Sequence, residues 1–129
     1  MKTRAAAEES SAEVVAAKLW GTYDTLLADL DGVVYEGKQA IHQAVESINK
    51  LQTNGVAVGY VTNNSSRKPE TIAEQLCGFG LKVEASEIIG SAQTGVELLS
   101  TLIPAGSKVL VVGGEGLRSR VAESGFVVV

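Results

Sequence analysis

Leu26–Gly37 reads LLADLDGVVYEG, and its reading decides the fold. An apolar run with the composition of a buried strand ends in two carboxylates one residue apart, Asp29 and Asp31, followed at once by Gly32. Burial alone forbids this pattern, because an unpaired carboxylate in a core is costly. The conflict disappears if the strand is central to a parallel sheet and its carboxyl end opens on a crevice. In open α/β sheets ligands bind beyond the carboxyl ends of the strands, so polar residues there face a cleft.

Working outward, the chain alternates strand and helix. Thr25 to Leu30 reads as a strand, and Ile41, Val45, Ile48 and Leu51 fall at helical spacing before the stop signal Asn54-Gly55. Val56 to Val61 is a second apolar strand. Pro69 suits a first helical position, with Ile72, Leu76 and Phe79 on one face. Glu87 to Gly90 is a short strand, and Ser91 is expected to cap a helix whose inner face is Val96, Leu99 and Leu102 or Ile103. Lys108 to Val112 reads as a strand, Leu117 to Ser124 as a short helix and Phe126 to Val129 as a further strand. Upstream, Ser10 with Glu13 forms a capping-box pattern that opens an N-terminal helix. The order predicts an α/β fold, a Rossmann-like parallel sheet flanked by helices. We divide it into an N-terminal helix over 1–21, a core over 22–104 and a further α/β segment over 105–129.

Composition bounds the partners. The 129 residues are 45% hydrophobic and 20% charged with a net charge of -4, and no Lys/Arg run offers nucleic acid or an anionic membrane an electrostatic footprint. No stretch has transmembrane length, no apolar signal region follows Met1, and the single cysteine excludes an internal disulfide, so a cytoplasmic protein is expected. Cys77 reads as a small core residue and His42 as a solvated one without metal-ligand company. Arg67 and Lys68 read as solvated loop charges rather than as ligands of an anion.

A second polar cluster, Thr62-Asn63-Asn64-Ser65-Ser66, ends the second strand as Asp29-Leu30-Asp31 ends the first. If the strands are neighbours, the two clusters converge. Phosphoryl transfer needs such a convergence. One carboxylate attacks phosphorus and forms an aspartyl-phosphate, while the second protonates the leaving oxygen and then activates water. Carboxylate and phosphate repel by about 4 kcal/mol per charge pair at about 4 Å and an effective dielectric of roughly 20, so a divalent cation is required, and magnesium suits an all-oxygen site. Gly32 permits close backbone approach to phosphoryl oxygens.

LLADLDGVVYEG together with YVTNNSSR resembles the first two motifs of haloacid dehalogenase superfamily phosphatases, in their nitrophenylphosphatase-like branch, and KVLVVGGEGLRSRVAESGF resembles the opening of that branch's α/β cap domain. The resemblance covers nearly the whole chain after Thr22. It implies that Asp29 is the nucleophile and a magnesium ligand, that Asp31 is the acid/base and a second ligand through its carbonyl, and that Thr62, Asn63 and Asn64, with Gly32, hold the phosphoryl group of a small phosphorylated substrate. Val34, Tyr35 and Glu36 would start a flap over the site. The family's later lysine and acidic motifs do not occur before Val129, so the chain is expected to be a fragment, inactive by itself and self-associating as a homo-oligomer through an open strand edge.

Two other readings remain. Gly114-Glu115-Gly116-Leu117-Arg118-Ser119 nearly matches G-x-G-x-x-G and suggests a dinucleotide-binding module, though Ser119 replaces the third small apolar position. A non-catalytic phosphate-binding or assembly fragment is the third.

Overall fold

Burial of Leu30, Tyr60, Ile72, Leu76 and Ile88 around a short parallel sheet organises the first half of the chain. The computed structural model describes residues 21–129. The expected helix over 1–21, with its Ser10/Glu13 box, lies outside these residues except for Gly21. Strand β1 (Thr25–Asp29) is followed by a hairpin of β2 (Tyr35–Glu36) and β3 (Gln39–Ala40), helix α1 (His42–Thr53), β4 (Ala57–Thr62) and α2 (Pro69–Gly78). A 3-10 turn at Ala85–Glu87 leads into β5 (Ile88–Gly90), α3 (Ser91–Leu102), β6 (Lys108–Val109), α4 (Glu115–Glu123) and β7 (Val127–Val128).

The punctuation in the sequence sets the element ends. Gly55 follows the Asn54 cap with φ +84°, a left-handed conformation that ends α1 and that most side chains resist. Pro69 occupies the first position of α2, where its missing N–H costs nothing. Gly90, not Ser91, is the N-cap of α3; the Ser91 hydroxyl instead donates to the Asn63 carbonyl at 3.0 Å. It ties the β5 end to the β4 loop rather than capping its own helix.

β1, β4 and β5 form one parallel sheet in the order β1-β4-β5. Val58, Tyr60 and Thr62 of β4 face the same layer as Ala28 and Leu30, against α1 and α2. Each fully buried aliphatic residue there contributes about 1.5–3 kcal/mol. The opposite face has no such cover among the described residues, and Leu27 is 62% and Ile89 44% exposed.

A second apolar cluster gathers Val96, Val111, Val121 and Phe126, with Leu99, Ile103, Val109, Leu117 and Val128 against it. Helix α3 therefore packs with the elements that follow it, so the expected division between 104 and 105 cuts through this cluster. Leu102, one of the two expected inward positions, is 69% exposed, and Ile103 packs instead. The expected strand from Lys108 to Val112 is only Lys108–Val109, paired with Val127–Val128, and beyond it the Val111 N–H donates to the Val129 carbonyl at 3.4 Å. No helix among the described residues is long and apolar enough to cross a membrane.

Candidate active site

Leu30 is the pivot on which the acidic turn is built. Its side chain is fully buried, while its carbonyl accepts from the N–H groups of Val33, Val34 and Tyr35 at 3.2, 2.9 and 3.3 Å. The Gly32 N–H closes the turn by donating to the Tyr35 carbonyl at 2.8 Å, with φ +79° at Gly32. Nothing lies within 4 Å of a Cβ built on Gly32, so the positive φ and not crowding selects glycine. Asp29 and Asp31 flank the buried Leu30 and are both exposed. Burial is thus satisfied by the residue between them, and both carboxylates face solvent at the carboxyl end of β1.

Neither carboxylate has an ion-pair partner among the described residues. Asp29 Oδ1 accepts one bond, from the Leu30 N–H at 2.9 Å. Two open, oxygen-only donors at a strand end match the chemistry of magnesium, which binds through one or two carboxylates and completes its shell with water and phosphate oxygens.

β1 and β4 are neighbours, with Asp29 in register with Val61, one residue before Thr62. The sheet therefore puts the Asp29–Gly32 turn and the Thr62–Asn64 turn side by side. Thr62 is the one buried polar residue of the described core, and its Oγ1 accepts the Asn64 N–H at 3.1 Å. Asn64 Oδ1 accepts from the Ser66 N–H and hydroxyl, fixing the loop beyond the strand. Asn63 is exposed and is held through its carbonyl.

Arg67 departs from the expectation of a solvated charge. It is half-buried, and its guanidinium donates to Gln75 Oε1 at 2.6 Å and to the Thr71 carbonyl at 3.3 Å. Gln75 in turn donates to the Gly37 carbonyl at the tip of the β2–β3 hairpin, at 3.1 Å. Tyr35, 2% exposed, has its phenol pushed up first by burial and then by the charges of Asp31 and Asp29, while the Arg67 guanidinium pulls it back by charge and hydrogen bonding. The β2–β3 hairpin is thus tied to α2 through Gln75, which Arg67 holds in turn. Sequence reasoning missed Gln75, since it carries no motif and its partners lie 8 and 38 residues away.

Cys77 is exposed and makes a 3.4 Å contact from Sγ to the Val83 carbonyl, so it is not the core residue expected. His42 is exposed, as expected. The glycines at 114 and 116 serve close packing. The Gly116 N–H donates to the Ser66 carbonyl at 3.2 Å, and a Cβ at Gly116 would lie 2.8 Å from the Ser65 carbonyl oxygen. Main chain of the Thr62 loop fills the place that a pyrophosphate needs in the dinucleotide reading.

Beside this loop opens a cavity of about 330 Å³, walled by Thr62, Asn64, Lys68 and, from α4, Arg120 and Glu123. Neither aspartate lines it. It is a chamber flanking the strand ends.

Comparison with known proteins identifies the family and the fold. A family model described as haloacid dehalogenase-like hydrolase matches residues 26–127. A D-glycerol 3-phosphate phosphatase of Mycobacterium tuberculosis is 37% identical over 104 residues, covering 81% of this chain and 29% of the relative. An acid sugar phosphatase of Staphylococcus saprophyticus is 35% identical over 105 residues, covering 81% of this chain and 40% of the relative. The chain thus spans well under half the length of these curated relatives. Among solved structures, the M. tuberculosis glycerol phosphate phosphatase in complex with magnesium superposes with a TM-score of 0.77 at 35% identity, covering 86% of this chain and 33% of that one. A p-nitrophenyl phosphatase from Archaeoglobus fulgidus superposes with a TM-score of 0.71 at 30% identity, covering 81% of this chain and 40% of that one.

Proposed function

The chain belongs to the haloacid dehalogenase-like hydrolases, and from that premise we propose that it carries the nucleophile and part of the phosphate cage of a magnesium-dependent phosphomonoesterase. The observation that carries the reading is the placement of two unpaired carboxylates on the end of β1 beside the Thr62 turn of the adjacent β4.

Asp29 attacks the phosphorus of a small phosphomonoester, and the bond to the leaving alcohol oxygen breaks as the new O–P bond forms. Asp31 gives its proton to that oxygen. Asp31 then takes a proton from water, whose oxygen attacks the acyl-phosphate and releases inorganic phosphate and free Asp29. The Thr62 hydroxyl, which accepts from the Asn64 N–H and keeps its own proton to donate, and the exposed Asn63 amide beside it hold the phosphoryl oxygens, where charge develops, while the Gly32 and Asn64 N–H groups shape the two turns. Asp29 and the Asp31 carbonyl would hold magnesium, which offsets the negative charge of nucleophile and phosphate. The M. tuberculosis relative solved with magnesium supports that choice of metal.

Beryllium trifluoride, which mimics a phosphoryl group on a carboxylate, tests the reading without requiring turnover. A magnesium-dependent adduct seen by fluorine NMR, and absent in Asp29→Asn, is expected. An adduct that persists in Asp29→Asn would assign the nucleophile elsewhere.

A further inference from the structure

Thr62 and Gly90 are partners in the register of β4 and β5, so the residues that follow them, Asn63 and Ser91, leave the sheet side by side. The Ser91 hydroxyl donates to the Asn63 carbonyl at 3.0 Å. That carbonyl belongs to the same peptide unit as the Asn64 N–H, which donates to Thr62 Oγ1 at 3.1 Å. The unit is trans, so its C=O and N–H point in opposite directions and one bond engages each end. Ser91 on one side and Thr62 on the other therefore hold a single peptide plane.

That plane governs where the Thr62 proton goes. Thr62 is 6% exposed, and among the described residues its hydroxyl makes no bond as a donor. A hydroxyl that accepts from a fixed N–H has one lone pair occupied, and its proton is left for another direction. Turning the plane over takes the N–H away from Oγ1 and presents a carbonyl oxygen there, an acceptor that competes for the proton. The bond from Ser91 opposes this rotation. Ser91 has no second duty at that position, because Gly90 is the N-cap of α3 and no side chain caps the helix.

We propose that Ser91 is a positioning residue of the phosphoryl cage: by anchoring the Asn63 carbonyl it fixes the peptide whose N–H turns the Thr62 hydroxyl proton toward the phosphoryl oxygens. The inference rests on the phosphatase reading and adds to that site a residue from a third strand end, outside both sequence motifs.

Nitrogen-15 NMR of the whole chain with magnesium, titrated with inorganic phosphate, tests it. Ser91→Ala is expected to weaken phosphate binding about fivefold, the effect of one hydrogen bond on the population of the competent loop. Ser91→Thr keeps the hydroxyl at an exposed position and should restore the affinity. In Thr62→Val, which has no proton to direct, Ser91→Ala should make no further difference, whereas a general loosening of the loop weakens binding in both backgrounds. Without phosphate, Ser91→Ala should speed exchange of the Asn64 amide about fivefold, and this readout decides if Thr62→Val binds too weakly to titrate. Phosphate affinity unchanged in Ser91→Ala, an equal loss in the Thr62→Val background, or an unmoved Asn64 amide overturns the proposal and leaves the phosphatase reading standing. Absence of phosphate-dependent shifts at Thr62 and Asn63 in the unsubstituted chain removes the phosphatase reading, and this inference with it.

Discussion

Asp29 stands in register with Val61 across two parallel strands, which brings the first carboxylate of the acidic turn within one residue of Thr62. If Asp29 is the nucleophile and Asp31 the proton carrier, their substitutions separate. Asp29→Asn is expected to lose both the beryllium trifluoride adduct and any nitrophenyl phosphate turnover. Asp31→Asn should keep the adduct, because forming it needs no proton transfer from a general acid–base. Equal loss of the adduct in both variants contradicts the division of roles.

The Arg67–Gln75–Gly37 connection predicts that the flap is tethered from α2. Gln75→Leu frees the Gly37 carbonyl and should speed amide exchange across Tyr35–Ala40 by about fivefold, corresponding to roughly 1 kcal/mol for one hydrogen bond. Arg67→Met removes the charge that holds the Tyr35 phenol down, so its titration should move further up. Absorbance at the tyrosinate band against pH reads the second effect, and an unmoved Tyr35 would separate it from Arg67.

Tyr60 is fully buried with an unpartnered hydroxyl, and burial pushes its pKa up to about 12 from 10.0. The folded state therefore favours the neutral phenol. Its contribution to stability is complete below pH 10 and is lost as pH rises toward about 12. Tyr60→Phe removes a buried hydroxyl that has no partner, so it should leave neutral-pH stability unchanged or raise it by about 1 kcal/mol. It should also flatten the alkaline limb of the denaturation midpoint against pH.

Gly116 has no room for a side chain, since a Cβ would lie 2.8 Å from the Ser65 and Ser66 main chain. Gly116→Ala should push α4 off the Thr62 loop at a cost of about 1–3 kcal/mol, as overpacking does. A lowered melting temperature together with shifted Ser65 and Ser66 amides checks it. The analogous Gly95→Ala, at an open helical position, should be neutral or stabilising.

Among the described residues β1 pairs only with β4, so its outer edge is open, and Leu27 is 62% exposed beside it. An open apolar edge is a template for a second strand. We expect concentration-dependent self-association by light scattering, reduced in Leu27→Lys. Monomer at every concentration excludes it.

The α/β order was legible because each element is specified locally. The Asn54-Gly55 stop and Pro69 act within a few residues of their own positions. The acidic turn was legible for a related reason. Asp29 and Asp31 alternate with an apolar Leu30, and that period places both carboxylates on the outside of a buried anchor whatever surrounds it.

What local rules do not specify is partnership over distance. Cys77 and Ser91 looked like a core residue and a helix cap, yet one is exposed and the other reaches Asn63, 28 residues away. Arg67 looked like a loop charge until the fold brought it to Gln75 and Tyr35. The glycines at 114 and 116 had the spacing of a nucleotide loop, and only the approach of α4 to Ser65 and Ser66 shows why they are small. The sequence by itself determined the order of elements and the residues that end each strand, because hydrogen-bonding and burial periods act along the chain. Only the tertiary structure decided that β1 and β4 are neighbours, that Arg67 meets Gln75 and Tyr35 and that Arg120 lines the Thr62 chamber, because those contacts join residues whose separation along the chain carries no period.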